Sequence, residues 1–164
     1  MTRQRMLVHI MLVALAITVT AGLATRRLHA SSNVALGCLV TASSTHESSS
    51  PGNAVDGDVA TQWNAGHHPP AWIELDLGAA FSVDRVRLIV EQTPDGPTVH
   101  TVSFGTATRD FTPVEVLSRH TVDGQELSFA PNTARHGVRY VKVATSSSPS
   151  WVAWNEIEVW GTRR

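Results

Sequence analysis

From Asn33 to the end of the chain, apolar residues recur with a period of two, and no window holds an apolar period of about 3.6. In AWIELDLG, Ile73, Leu75 and Leu77 alternate with Trp72, Glu74 and Asp76. In VDRVRLIV, Val86, Leu88 and Val90 alternate with Arg85, Arg87 and Ile89. Successive side chains of an extended strand point to opposite faces, so each run offers one apolar face to a core and rules out an amphipathic helix. His100, Val102 and Phe104 share a face of a further strand. Val114 to His120 and Gln125 to Phe129 flank Asp123-Gly124, a strong hairpin signal, and VRYVKVA and EIEVWG supply the last two strands. About eight short strands separated by Gly, Pro, Asp and Ser clusters predict an all-β fold, an antiparallel jelly-roll β-sandwich.

The first thirty residues follow another pattern. Arg3 and Arg5 precede the apolar run Met6 to Ala24, and small residues follow, which is the layout of a secretory signal peptide. Cleavage after Ala24 or Ala30 suits the small-residue rule. With Ala30 taken as the site, residues 1–30 are the signal and 31–164 the domain. An uncleaved membrane anchor is the alternative, since the run almost reaches the roughly 20 residues that span a bilayer. His9, Thr18 and Thr20 favour cleavage and a secreted, extracellular domain.

Loss of residues 1–30 leaves 9 Lys and Arg against 14 Asp and Glu, a formal charge of −5. A domain so acidic, with no basic cluster, lacks the surface that neutralises phosphates, so neither nucleic acid nor an anionic membrane is an expected partner. Cys38 is the single cysteine, so no internal disulfide can form, and a buried structural thiol in a strand is its expected role.

The stretch GNAVDGDVATQW places Asp56, Asp58 and Thr61 around Gly57. Two readings are open on the residues alone. One is an ordinary surface turn, the simpler reading by composition. The other is a loop of hard oxygen donors for a calcium-type cation. An EF-hand is excluded, because counting from Asp56 puts Ala60 and His67 where ligands are required.

The ordered series NVALGCLVTASS, GNAVDGDVATQW, WIELDLG, RVRLIV and SWVAWNEIEVWG resembles the discoidin domain, also called the coagulation factor V/VIII type C domain, from about Asn33 to Gly161. The bacterial family 32 carbohydrate-binding modules, of galactose-binding-like fold, are the nearest resemblance. It implies an eight-stranded jelly roll with a structural calcium held by the Asn53 carbonyl, Asp56, Asp58, Thr61, the Asn155 carbonyl and Glu156. Such a clip would close a loop of about a hundred residues, where a cross-link restricts the unfolded chain most in theory. It would also separate three carboxylates that repel one another in an empty site.

A sugar site needs an aromatic platform and a few polar groups. Of the five tryptophans, Trp72 and Trp160 lie in strand patterns and Trp63 beside the cation loop, so packing is expected of all three. Trp151 follows ATSSSPS in a loop and is the expected stacking platform. The resemblance adds His46 and Glu47 from one loop, and Asn64, His67 and His68 from another. A zinc site on His67 and His68 is not expected, since no third ligand is evident. The loop EQTPDGPTVH offers Glu91, Gln92, Asp95 and His100 but no arginine, a departure from the galactose-binding pattern. His100 is expected to be a hydrogen-bonded core residue.

The expected function is a secreted, non-catalytic carbohydrate-binding module for a glycan or cell-surface polysaccharide. The alternative is a protein or phospholipid adhesion module with a secreted protein partner, against which stand the acidic charge and the lack of exposed Leu or Phe pairs in the loops. No GxSxG elbow, HExxH helix or phosphate loop points to an enzyme.

Overall fold

The computed structural model describes residues 30–107 and 110–163, so the expected signal peptide, residues 1–30, lies outside the described residues apart from Ala30. The organising element is β4, Ala71–Glu91, a strand of 21 residues that joins two layers. Its first half pairs on one side with β2 (Leu39–Ala42) and on the other with β8 (Arg135–Ser147), in registers that set Ile73 opposite Val143 and Leu75 opposite Val141. Register shifts then fall between Asp76 and Val83, around Gly78 with its φ of 74°, and the strand changes partners. Its second half pairs with β9 (Ala153–Arg163) and β7 (Glu126–Phe129), setting Leu88 opposite Ile157 and Leu127.

One layer therefore runs β2, first half of β4, β8, β5 (Gly96–Gly105) and β6 (Thr112–Thr121). The other runs β7, second half of β4 and β9, with the two-residue strands β1 (Ser32–Asn33) and β3 (Trp63–Asn64) along the far edge of β9. Every pairing is antiparallel. The alternating apolar residues of both layers meet between them, and Ile73, Leu75, Val86, Leu88, Val102, Val141, Val143, Ile157 and Val159 are fully buried.

The all-β sandwich is as the alternation predicts, with three corrections. The runs AWIELDLG and VDRVRLIV are one bent strand, not two. Asp123-Gly124 forms a turn, with Gln125 N–H donating to Val122 O at 3.2 Å, but no hairpin. The strand before it pairs with β5 and the strand after it with β4. Trp72 and Trp160 are half-buried on the outer faces rather than in the core. Lys142 Nζ lies 4.1 Å from the Trp72 ring centroid and Arg85 Cζ 4.7 Å from that of Trp160.

Trp63 is a core residue as expected, and Trp154 joins it. Cys38 is half-buried just ahead of β2, and burial, with the Asp76 charge beside it, pushes its thiol up to about 12, far from a reactive thiolate. His100 is buried as expected, with Nδ1 2.9 Å from Thr145 Oγ1 and its ring edge-on to Trp154.

Candidate functional site

Ser50 caps a short 3-10 helix, Pro51–Val55, by accepting from Gly52 N–H, and Ala54 and Val55 anchor it in the core. The chain then turns at Gly57, whose φ of 84° favours glycine and where a Cβ would come within 3.1 Å of the Leu36 side chain. Asp56 Oδ1 accepts from Asp58 N–H and Asp58 Oδ1 from Ala60 N–H, both at 2.9 Å. The Thr61 hydroxyl lies 2.7 Å from Asp56 Oδ2, 3.0 Å from the Asp58 carbonyl and 3.3 Å from the Asn53 carbonyl. A single hydroxyl proton can serve one of these three oxygens at a time.

Glu156 reaches the same turn from β9. One carboxylate oxygen accepts from Gly57 N–H at 3.2 Å. The other is buried with no hydrogen-bond partner, and the residue is 1% exposed. Burial pushes its carboxyl up to about 7, opposed by the Gly57 N–H and reinforced by the Asp56 charge. Asn155 adds a side-chain amide donating to the Thr61 carbonyl at 3.4 Å. Among the described residues no three His, Cys, Asp or Glu side chains converge on one point, so a cation here would need the carbonyls and Thr61 as well. The two aspartate turns are what any Asx-type loop makes. The half-satisfied, buried Glu156 is not, and a hard cation facing this all-oxygen set would supply the partner it lacks.

The second feature is a cleft of about 480 Å³ between the loops at one end of the sandwich. Asn64, His68 and Trp151 line it, as do Glu91, Thr93, Pro94, Pro149 and Ser150. Trp151 is 44% exposed, and the backbone around it is fixed: Val152 N–H donates to the His67 carbonyl and Ala65 N–H to that of Val152. The opposite wall hangs on Gln92, which is buried and bonded through its side chain to Thr121 and Gly96, and through its N–H to Asp123. Gly96 closes the contact between walls, since a Cβ there would sit 2.8 Å from Pro149 Cγ.

Of the expected sugar residues, Asn64, His68 and Trp151 come together in this cleft. His46 stands at its edge, its ring 5.7 Å from that of Trp151 and tilted by 44°, while its N–H donates to the Asn64 carbonyl. The core indole of Trp63 holds this loop by donating to the Ser44 carbonyl at 3.1 Å. His67 is exposed and does not line the cleft, its ring being held between Ser44 Oγ at 2.8 Å and the His68 carbonyl at 2.6 Å. Glu47 is exposed and does not line the cleft. Glu91, Thr93, Pro94, Pro149 and Ser150 line the cleft without being expected there, although Glu91 stands in the arginine-free loop EQTPDGPTVH. Leu36 is 58% and Leu39 69% exposed, one in a turn and one at an outward position of β2, and neither lines the cleft.

Comparison with known proteins places these features. The family model of the F5/8 type C domain matches residues 40–158. No curated protein sequence matches. Among solved structures, the chitosan-binding module 1 of a chitosanase/glucanase from Paenibacillus sp. IK-5 is 30% identical with a TM-score of 0.65, covering 79% of this chain and 99% of that one. The family 32 carbohydrate-binding module of C. perfringens NanJ, in complex with galactose, is 13% identical with a TM-score of 0.68, covering 80% and 98%. A fucose binding module of Streptococcus pneumoniae is 21% identical with a TM-score of 0.64, covering 80% and 96%. With the family model spanning most of the sandwich and the same fold recurring in these modules, the chain belongs to the F5/8 type C domain family.

Proposed function

We propose that the domain is a secreted, non-catalytic carbohydrate-binding module whose ligand occupies the cleft between Trp151 and Glu91. The observation that carries this reading is the exposed Trp151 ring at the mouth of a preformed polar cleft. An aromatic face takes the C–H face of a pyranose, while Asn64, His68, Glu91, Thr93 and Ser150 supply donors and acceptors for its hydroxyls. The relatives that bind galactose, chitosan and fucose support a glycan as the ligand class. A glycan array probed with the 31–164 domain tests it. Binding of one sugar class above background is expected, and no binding to any glycan, together with capture of a secreted protein, would transfer the domain to the adhesion reading.

We propose further that a structural calcium occupies the 53–61 loop. The Asn53 and Asn155 carbonyls, Asp56, Asp58, Thr61 and Glu156 would hold it. The cation would neutralise the carboxylates and cross-link the loop to β9. The unpartnered oxygen of Glu156 supports this reading.

A further inference from the structure

We infer that the cleft selects glycans bearing a free, protonated amine, glucosamine-type cationic sugars, and that Glu91 is the residue that receives the ammonium. The inference rests on the glycan reading of the same cleft. Glu91 ends β4, where it stands opposite Ala153, and lines the cleft half-buried. Among the described residues no lysine or arginine lines the cleft, and Glu91 makes no ion pair or side-chain hydrogen bond. Three other carboxylates of the sandwich are held by arginine: Arg87 holds Glu126 and Glu158 at 2.8 and 2.7 Å, and Arg139 holds Asp76 at 2.9 Å.

The other ionisable group on the cleft is His68, and Asp123 lies close enough that its charge adds to burial in raising the Glu91 carboxyl. A neutral hydroxyl offers Glu91 one hydrogen bond and leaves the charge in place. An ammonium offers three donors and cancels the charge, and does so beside a second carboxylate. Trp151, across the cleft, favours a cation over its face as well as a sugar ring. The whole domain, acidic once residues 1–30 are removed, attracts such a ligand and repels uronic or sialic acids.

The test is calorimetric titration, at about pH 6, where an ordinary amine is protonated. The 31–164 domain is titrated with a fully deacetylated glucosamine oligomer, its N-acetylated counterpart of equal length, and galactose. The deacetylated oligomer is expected to bind about tenfold or more tighter than the acetylated one. Glu91→Gln, nearly isosteric, is expected to bring the two together while the weaker neutral binding persists. Equal affinity for the two oligomers in the wild type overturns amine selection, and a preference that survives Glu91→Gln undiminished overturns the assignment of the ammonium to Glu91; either result leaves the glycan reading intact. Absence of binding to every sugar overturns both. The wild-type ratio decides the matter even where the variant does not fold.

Discussion

Glu156 on β9 accepts a hydrogen bond from the Gly57 amide at 3.2 Å, joining positions 99 residues apart, while its second carboxylate oxygen is buried with no partner. A buried carboxylate satisfied on one side only is costly without a counter-charge. The proposed calcium supplies it, so chelation of the purified domain is expected to lower its melting temperature. A cation at a hundredfold excess over its Kd contributes about 2.7 kcal/mol. For a domain of this size that corresponds to a shift of about 5–15 °C. Glu156→Gln is expected to melt at one temperature with and without chelator. Scanning calorimetry on both proteins checks this, and a wild type indifferent to chelator would count against the metal.

His100 leads to a pH prediction with a definite sign. Burial lowers its imidazole from 6.5 to about 4, and its Nε2 has no partner in the core. The unfolded chain therefore takes up a proton at a higher pH than the folded one. The stability this neutral histidine maintains is complete above pH 6.5 and is lost as pH falls towards 4. From this group alone the domain is expected to be about 2 kcal/mol less stable at pH 5 than at pH 7. Glu156, raised by burial to about 7, acts with the opposite sign over the same window in the calcium-free domain. The His100 effect is therefore read by comparing wild type with a His100→Gln variant in urea unfolding at the two pH values: the fall to pH 5 should cost the variant about 2 kcal/mol less, and an identical pH response in the two would remove His100 as the source.

Trp151 and Trp72 separate recognition from packing. Trp151 is 44% exposed over the cleft, while Trp72 lies under Lys142 on the outer face of the sheet. Trp151→Ala is expected to weaken glycan binding about tenfold or more with little change in melting temperature. Trp72→Ala should leave affinity within about twofold and destabilise the fold by about 1 kcal/mol through its lost cation and packing contacts. Paired titration and melting experiments on the two variants test this, and equal affinities for Trp151→Ala and wild type would remove Trp151 from the site.

Much of this was legible in the sequence because strand periodicity is local. Ile73, Leu75, Val86 and Leu88 announce their buried faces by alternation alone, and they are fully buried. Partner choice is not local. Asp123-Gly124 has the chemistry of a hairpin turn, yet Leu117 before it and Leu127 after it are both buried in strands that pair with different neighbours. The segment Gly78-Ala79-Ala80 reads as a break between strands, but the small residues let one strand bend from layer to layer. The site divides in the same way. Trp151 is visible as an aromatic stranded in a serine-rich loop. Glu91 closes an apolar strand, and it reaches the cleft only because Gln92, bonded to Thr121, fixes the loop behind it.

Gly96 tests whether the cleft acts as a preformed unit. A Cβ at this position would lie 2.8 Å from Pro149 Cγ and 3.4 Å from its Cβ, closer than carbon atoms tolerate, and the proline ring has little freedom to retreat. Gly96→Ala must therefore push the loop carrying Pro149, Ser150 and Trp151 away from the wall that carries Glu91 and Thr93. Overpacking of this kind costs about 1–3 kcal/mol of stability. The displacement also misplaces Trp151 relative to the polar wall without altering any group that touches the ligand. A binding site that depends on the two walls together is expected to lose affinity in Gly96→Ala by about tenfold or more, because part of the binding free energy must then re-form the cleft. Gly137→Ala, at a φ of 76° on β8 and away from the cleft, serves as the control: it should destabilise the fold comparably and leave affinity unchanged. If the two variants bind glycan equally well, the Trp151 loop recognises its ligand without the Glu91 wall.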